Sequence, residues 1–429
     1  MLNSQAADAS KPRPCRALKT SVFVIILMAV VAPASPAQAD PLTFEGALAR
    51  ARANAPSLQA KAFGVDSSRA ARGAAGALPD PKLMLGIDGF PISGPNAFEP
   101  SREDFAAVRL GVSQDIPNPA KRRAQRSRAD ADIAVASAEA IHEARNVEVG
   151  TATAWITLAY AEKRVAALDK VRARLDRLVR TTPSAVASGA ARPGQTLAGR
   201  QALAALDDKR DELIAAVGRA RADLTRWTGD TSPIIVGSLP VFAVDRANLL
   251  ALIDANPLLA AVYARAGQAA ADVRVAEAER RPDFGAEVAY QHRDPRFGDL
   301  ISAGVTISLP FVRRRRQDAL LAARQAEVGK ARAEQEAARR ELTAGLEAEL
   351  VDHAMHHEQW TRSRETIEPL ARERVDLETA SYGAGRANLI DVVDAHIALV
   401  DAALTTLDRR ALVEIDGAKL NLTYRSAAR

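Results

Sequence analysis

The sequence predicts a mainly α-helical chain with a small β part, arranged as two tandem repeats of a β-hairpin joined to a long α-helical hairpin. Three observations lead there. From Ala120 to Thr182 there is no proline and one glycine, Gly150, which reads as a single helix on the order of 90 Å long. Four short segments alternate apolar and polar residues with period two, the signature of strands with one apolar face. Landmarks in residues 40–240 recur in the same order in residues 241–429, as expected of an internal duplication.

The chain opens on a segment that reads as a secretory signal. Lys11, Arg13, Arg16 and Lys19 precede the apolar run "VFVIILMAVVA", and "AQA" ends at Ala39, where cleavage is expected. The run is shorter than the roughly 20 residues a membrane-spanning helix needs, and no spanning helix is expected in the mature chain. The single cysteine, Cys15, falls inside residues 1–39, so disulfides are not expected. Removing four basic residues and one acidic residue lowers the formal charge from +5 to +2. A nearly balanced, exported chain with few aromatics argues against a nucleic-acid partner. No Gly-x-Ser-x-Gly, His-Glu-x-x-His or Walker loop occurs, so neither an enzyme nor a cofactor is expected.

Residues 40–240 form the first expected repeat. A helix over Leu42–Ala77 precedes a hairpin at about 82–116, in which Leu83, Leu85 and Ile87 oppose Lys82, Gly86 and Asp88. Val108, Leu110 and Val112 then oppose Arg109, Gly111 and Ser113. The long helix follows and is expected to end at Pro183, with a returning helix over Thr196–Thr228. In residues 241–429 the order repeats: a helix over Arg246–Arg281, a hairpin at about 284–309, and a long helix over Arg313–Ala380. Pro369 should kink that helix and Gly383 stop it, before a last helix over Leu389–Thr423. "NAP" at Asn54 answers "ANP" at Ala255, and "SGAARPGQTL" from Ser188 answers "YGAGRANLID" from Tyr382. The first repeat carries an extra stretch, "PISGPNAFEPSRED".

Alternation over about nine residues suits a tilted strand crossing a bilayer. It also suits small hairpins lying on a helical core. Export, the interruption of long helices by each hairpin, and one small, polar face in all four strands favour the first reading. Four strands cannot close a membrane barrel, since the smallest have about eight; several chains related by cyclic symmetry would then share one.

With these features in hand, the chain resembles the TolC-like outer-membrane factors. The stretch "YGAGRANLIDVVDAH" from Tyr382 is the most specific motif, and "VSQDIPNPAKR" from Val112 is similar to the CzcC-like heavy-metal efflux branch. The resemblance implies a homotrimer with a 12-stranded transmembrane β-barrel in the outer membrane of a Gram-negative bacterium, above an α-helical periplasmic tunnel. It implies a periplasmic adaptor (membrane fusion protein) and an inner-membrane pump, of RND type, as partners, and a passive exit duct for substrates that include heavy-metal cations. A soluble periplasmic coiled-coil scaffold and the duct of a type I secretion system are the alternatives.

Several residues then become candidates. Asp391 and Asp394 are three apart on one helix face, and a trimer would gather six carboxylates into a cation-preferring aperture; a solvated face is the plain alternative. Arg386 is placed either to tie that aperture closed or merely in solvent. Gly189, Gly383 and Gly385 mark the two helix tips where an adaptor would dock, with left-handed or tight backbone expected at Gly189 and Gly383. Lys121, Arg122 and Arg123, like Arg313, Arg314, Arg315 and Arg316, follow a strand and a proline. Cations at a helix N-terminus are unfavourable, so anionic outer-membrane lipid is the expected partner of this basic collar, with simple solvation as the alternative. His353, His356 and His357 have metal-compatible spacing, but no cysteine joins them and no metal site is expected. Trp155, Trp227 and Trp360 are expected to pack helices together.

Overall fold

The computed structural model describes residues 41–187 and 193–425; the signal segment 1–39 and Gly189 lie outside them. The helices are α1 (Phe44–Asn54), α2 (Pro56–Ala74), α3 (Pro119–Ala187), α4 (Pro193–Thr228), α5 (Arg246–Ala251), α6 (Pro257–Ala278), α7 (Gln317–Arg362), α8 (Glu368–Gly383) and α9 (Leu389–Thr423). The strands are β1 (Lys82–Asp88), β2 (Ala107–Ile116), β3 (Asp283–His292) and β4 (Leu300–Ser308). Among the described residues no helix is long and apolar enough to cross a membrane.

The long helices appear where breakers are sparse. At 69 residues α3 spans about 100 Å. It passes four residues beyond Pro183 before ending, so that proline does not stop it. The helix expected over Leu42–Ala77 is two, because Pro56 forces Ala55 into an extended conformation and then starts α2 from its first turn. Pro257 acts in the same way within Arg246–Arg281, where α5, a short 3-10 turn and α6 replace one helix. Pro369 lacks the N–H that an unbroken α-helix would use, and a π turn over Ser363–Ile367 separates α7 from α8 just before it. The Arg313–Arg315 run forms a 3-10 turn ahead of α7.

Helix α3 packs against α2, α4, α6 and α9, while α7 lies against α6 and α9 and α8 lies against α9. Trp155 is the centre of one core, with Leu42, Phe44, Leu158, Leu224 and Leu422 around it. Its indole Nε1 donates to the Leu42 carbonyl at 3.1 Å, so a large apolar ring is buried without an orphaned donor. A second core joins Leu168, Leu175, Leu206 and Leu213 to Leu389, Leu399 and Leu404. Burying each of these leucines contributes about 1.5–3 kcal/mol. Gly150 in α3 is required by Trp227 of α4, because a Cβ there would come within 2.3 Å of the indole ring.

The two hairpins are not separate. All four strands form one antiparallel sheet in the order β1-β2-β3-β4, with β2 paired to β3 although they lie far apart in sequence. In that register Leu85, Leu110, Tyr290 and Ile301 lie in one row across the sheet, so the apolar residues share a face.

Candidate functional site

That apolar face is uncovered in the single chain: Leu85 is 77% exposed and Ile301 78%. A strand of ten residues tilted as in membrane barrels covers a bilayer's apolar core. The opposite face is polar and internally paired. Lys82 Nζ meets Asp115 at 2.7 Å, and Arg109 reaches Glu287 at 3.2 Å and Asp88 at 3.6 Å. Among the described residues, β1 and β4 each have one edge without a partner strand, which leaves the ladder groups along it unpaired. At the far end of the sheet, Arg293 of the β3–β4 turn donates to the Asp104 carbonyl at 2.9 Å and Arg296 to the Ser101 carbonyl. These bonds staple the long β1–β2 connection, and nothing local in the sequence signals them.

The α8–α9 turn carries the acidic motif. The Arg386 N–H bonds to the Ser381 carbonyl at 2.9 Å and the Gly385 N–H to that of Tyr382 at 3.0 Å, a Schellman closure. Its left-handed residue is Gly385, at φ +73°. Gly383, where left-handed or tight backbone is expected, is the last residue of α8, and the left-handed position falls two residues later, where the chain reverses. Asn388 and Asp391 then form a capping box at the start of α9, with the Asn388 N–H bonded to Asp391 Oδ2 at 3.0 Å. Asp391 and Asp394 are both exposed on the side away from buried Val392, Val393 and Ala395. Asp391 therefore commits one oxygen to the cap and keeps the other, while Asp394 keeps both. Among the described residues, no carboxylate lies within ion-pair distance of the exposed Arg386.

Both basic runs sit at the joint between sheet and helices. Asn118 caps the first turn of α3, its Oδ1 accepting from the Lys121 N–H at 2.8 Å. Asn118 also donates to Asp283 through its backbone and side-chain nitrogens at 2.8 and 2.9 Å, and Lys121 Nζ reaches Asp283 at 3.3 Å. This one carboxylate, at the first residue of β3, ties the head of α3 to the second repeat. Arg122 donates to the Gly76 carbonyl at 2.8 Å and Arg313 to that of Arg280 at 2.6 Å. Arg123, Arg314, Arg315 and Arg316 are exposed. Lys121 and Arg316, far apart in sequence, line the same cleft of about 410 Å³.

The three histidines do not converge. His356 Nδ1 lies 2.7 Å from Asp416, whereas the His353 and His357 rings stand 6.4 Å apart and His357 packs edge-on against Trp360. Among the described residues no group of three or more His, Cys, Asp or Glu is placed to hold a metal ion. Burial pushes His353 below its ordinary pKa and pushes Glu349, one turn earlier on α7, above its own. A cluster that sequence reasoning missed surrounds Glu148, which accepts from Arg52 at 2.7 Å and Arg425 at 3.0 Å while Arg145 approaches at 3.6 Å. Arg145 also donates to the Leu422 carbonyl at 2.7 Å, fastening the end of α9 to α3. No spacing rule could find it, since its members come from both ends of the chain.

Comparison with known proteins places this architecture. Residues 250–422 match the family model described as "Outer membrane efflux protein". A curated relative, the cobalt-zinc-cadmium resistance protein CzcC of Cupriavidus metallidurans, is 24% identical over 381 residues, which is 86% of each chain. Among solved structures, a membrane protein from Pseudomonas aeruginosa superposes with a TM-score of 0.76 at 16% identity, covering 89% of this chain and 90% of that one. The CusC channel superposes with a TM-score of 0.72 at 12% identity, covering 90% and 92%. At such identities the likeness establishes the fold.

Proposed function

We propose that this chain, whose residues 250–422 match the outer membrane efflux protein family model, is a protein of the Gram-negative outer membrane and the exit duct of a tripartite exporter. Three copies would join β4 of one chain to β1 of the next, closing a 12-stranded barrel whose outer wall is the apolar face and whose lumen is the polar face. The observation that carries this reading is the single four-stranded sheet, apolar and uncovered on one side, with a free strand edge at either end. Exposed apolar area of this extent is costly in water, and open edges invite pairing; trimeric closure within a bilayer removes both costs.

In this reading the helices continue the barrel as a tunnel, and the α8–α9 turn forms part of its periplasmic tip. Asp391 and Asp394 would supply a ring of carboxylates favouring cations, Arg386 would lie beside them, and Gly383 and Gly385 would present the surface an adaptor meets. Gly189 would do so at the other tip. The duct has no chemistry of its own; an adaptor and an inner-membrane pump of RND type would deliver the cargo. The relationship to a cobalt-zinc-cadmium resistance protein supports divalent heavy-metal cations as that cargo.

Membrane fractionation tests the duct. The protein should sediment with the outer membrane and run as a trimer that heating converts to monomer; a soluble monomer would reject the proposal. Cargo is tested separately, by deleting the gene and measuring growth in cobalt, zinc and cadmium. Unchanged tolerance to all three metals would remove the metal assignment and leave the duct standing.

A further inference from the structure

Arg281, in the short connection between α6 and β3, lines two adjoining clefts. The first, of about 410 Å³, takes Lys121, Arg281 and Arg316 as its cations, with Glu279 and Asp283 as its acids. The second, of about 350 Å³, adds Arg123 and Arg274 with Glu277. Five cations thus share the joint with three carboxylates. Asp283 is already satisfied by Asn118 and Lys121. Among the described residues, Arg123, Arg281 and Arg316 have no carboxylate within ion-pair distance. Arg314 and Arg315 stand exposed beside them.

The position of this charge matters as much as its sign. Leu309 lines the first cleft, and by alternation it continues the apolar face of β4 that Ile301, Val305 and Ile307 present. The cationic cleft therefore opens where the apolar band ends. At a bilayer surface, that is the level of the phosphates. Cations beside a low-dielectric region gain most from a counter-ion held at close range, and guanidinium groups match phosphate oxygens with paired donors.

We propose that the cleft formed by Lys121, Arg281 and Arg316 seats the phosphate of an anionic phospholipid headgroup, anchoring the foot of the barrel wall to the periplasmic leaflet. The proposal rests on the outer-membrane duct reading. Arg281 and Arg316 are its principal ligands, because Lys121 is shared with Asp283. Glu279 sets the selectivity: it repels a second anion and disfavours headgroups that carry extra negative charge near that wall.

The test uses the full-length protein purified in detergent, exchanged into mixed micelles holding equal phosphatidylglycerol and phosphatidylcholine, with retained lipid counted by native mass spectrometry. The wild type should retain phosphatidylglycerol preferentially. Arg281→Gln with Arg316→Gln should cut that preference by roughly fivefold per arginine, whereas Arg314→Gln with Arg315→Gln, the same charge change outside the cleft, should leave most of it. Equal loss in both pairs, or no loss in either, would overturn the site in favour of diffuse attraction or none. Inorganic phosphate added at matched ionic strength should not displace the lipid; full displacement would make free phosphate the ligand and overturn the lipid assignment. If the double variant does not assemble, Arg281→Gln alone is read by the same ratio. A wild type that inserts into vesicles but shows no preference refutes only the cleft, while one that never inserts refutes the duct as well.

Discussion

The side-chain amide of Asn256 donates to the backbone carbonyl of Thr423 at 3.0 Å, tying the entry of α6 to the last residue of α9. The first repeat holds the matching bond, from Asn54 to the carbonyl of Thr228 at 3.4 Å, where Thr228 is the last residue of α4. The same closure of helical hairpin against preceding helix thus occurs twice in the chain, but not with the same strength. Asn256 is 3% exposed and also caps α6 through the Leu258 N–H at 2.9 Å, while Asn54 is exposed and caps nothing. Asn256→Ala should therefore cost about 2 kcal/mol, and Asn54→Ala under about 1 kcal/mol. Thermal or denaturant unfolding of the two variants compares them directly, and equal losses would contradict the account.

At the tip, Gly385→Ala places a Cβ on a left-handed residue and should destabilise by about 1 kcal/mol. Gly383→Ala fills a helical position with open space around it, and should be neutral or stabilise by up to about 1 kcal/mol. Opposite signs in a melting comparison support the assignment of the turn; a larger loss at Gly383 would refute it.

Charge and capping at Asp391 can be separated. Asp391→Asn with Asp394→Asn removes both carboxylates while leaving an oxygen at position 391 to accept from the Asn388 N–H. Single-channel recording in planar bilayers should show weaker cation preference and higher conductance, as expected once a ring of fixed charge is neutralised. Recordings indistinguishable from the wild type would place the aperture elsewhere.

Gly150 and Trp227 form a size-matched pair. Gly150→Ala should cost about 1–3 kcal/mol through overpacking, and Trp227→Leu should recover part of that loss by vacating the ring. Additive losses in the double variant would mean that the helices adjust by moving apart.

Glu349 gives a dependence on pH. Burial raises its pKa in the folded chain, so the contribution of its protonated form is present below the unfolded value and is lost as pH rises through the folded one. Burial lowers His353, whose neutral form favours folding above the unfolded value and loses that advantage as pH falls. The two oppose each other. Glu349→Gln should raise the melting temperature at neutral pH more than at pH values below the ordinary carboxylate range. A pH-independent effect would show that desolvation of the carboxylate is not its cause.

Much of this architecture can be read one residue at a time. The run without proline around Gly150, the period of two through Phe284 and Val288, and Leu389–Thr423 all follow from local sterics and amphipathic pattern, which a linear sequence contains. Pro56 and Pro257 carry local signals too, though they divide helices that periodicity joins. The Asp391 pair was legible because helical spacing fixes which side chains share a face. The pairing of β2 with β3, the hold of Asp283 on Asn118 and Lys121, and the convergence of Lys121, Arg281 and Arg316 were not. These relationships join residues from different repeats, and no short-range preference selects one distant partner over another.

By itself, then, the sequence determined the element types and their order along the chain, because backbone sterics and side-chain period act within a few residues, while several helix boundaries were set otherwise. Tertiary structure decided that two hairpins make one sheet with a single uncovered apolar wall, and that cations from separate runs meet at its foot. The reason is physical: strand pairing and charge clustering are set by the packing of the whole helical bundle, which brings distant backbone edges and guanidinium groups to one level.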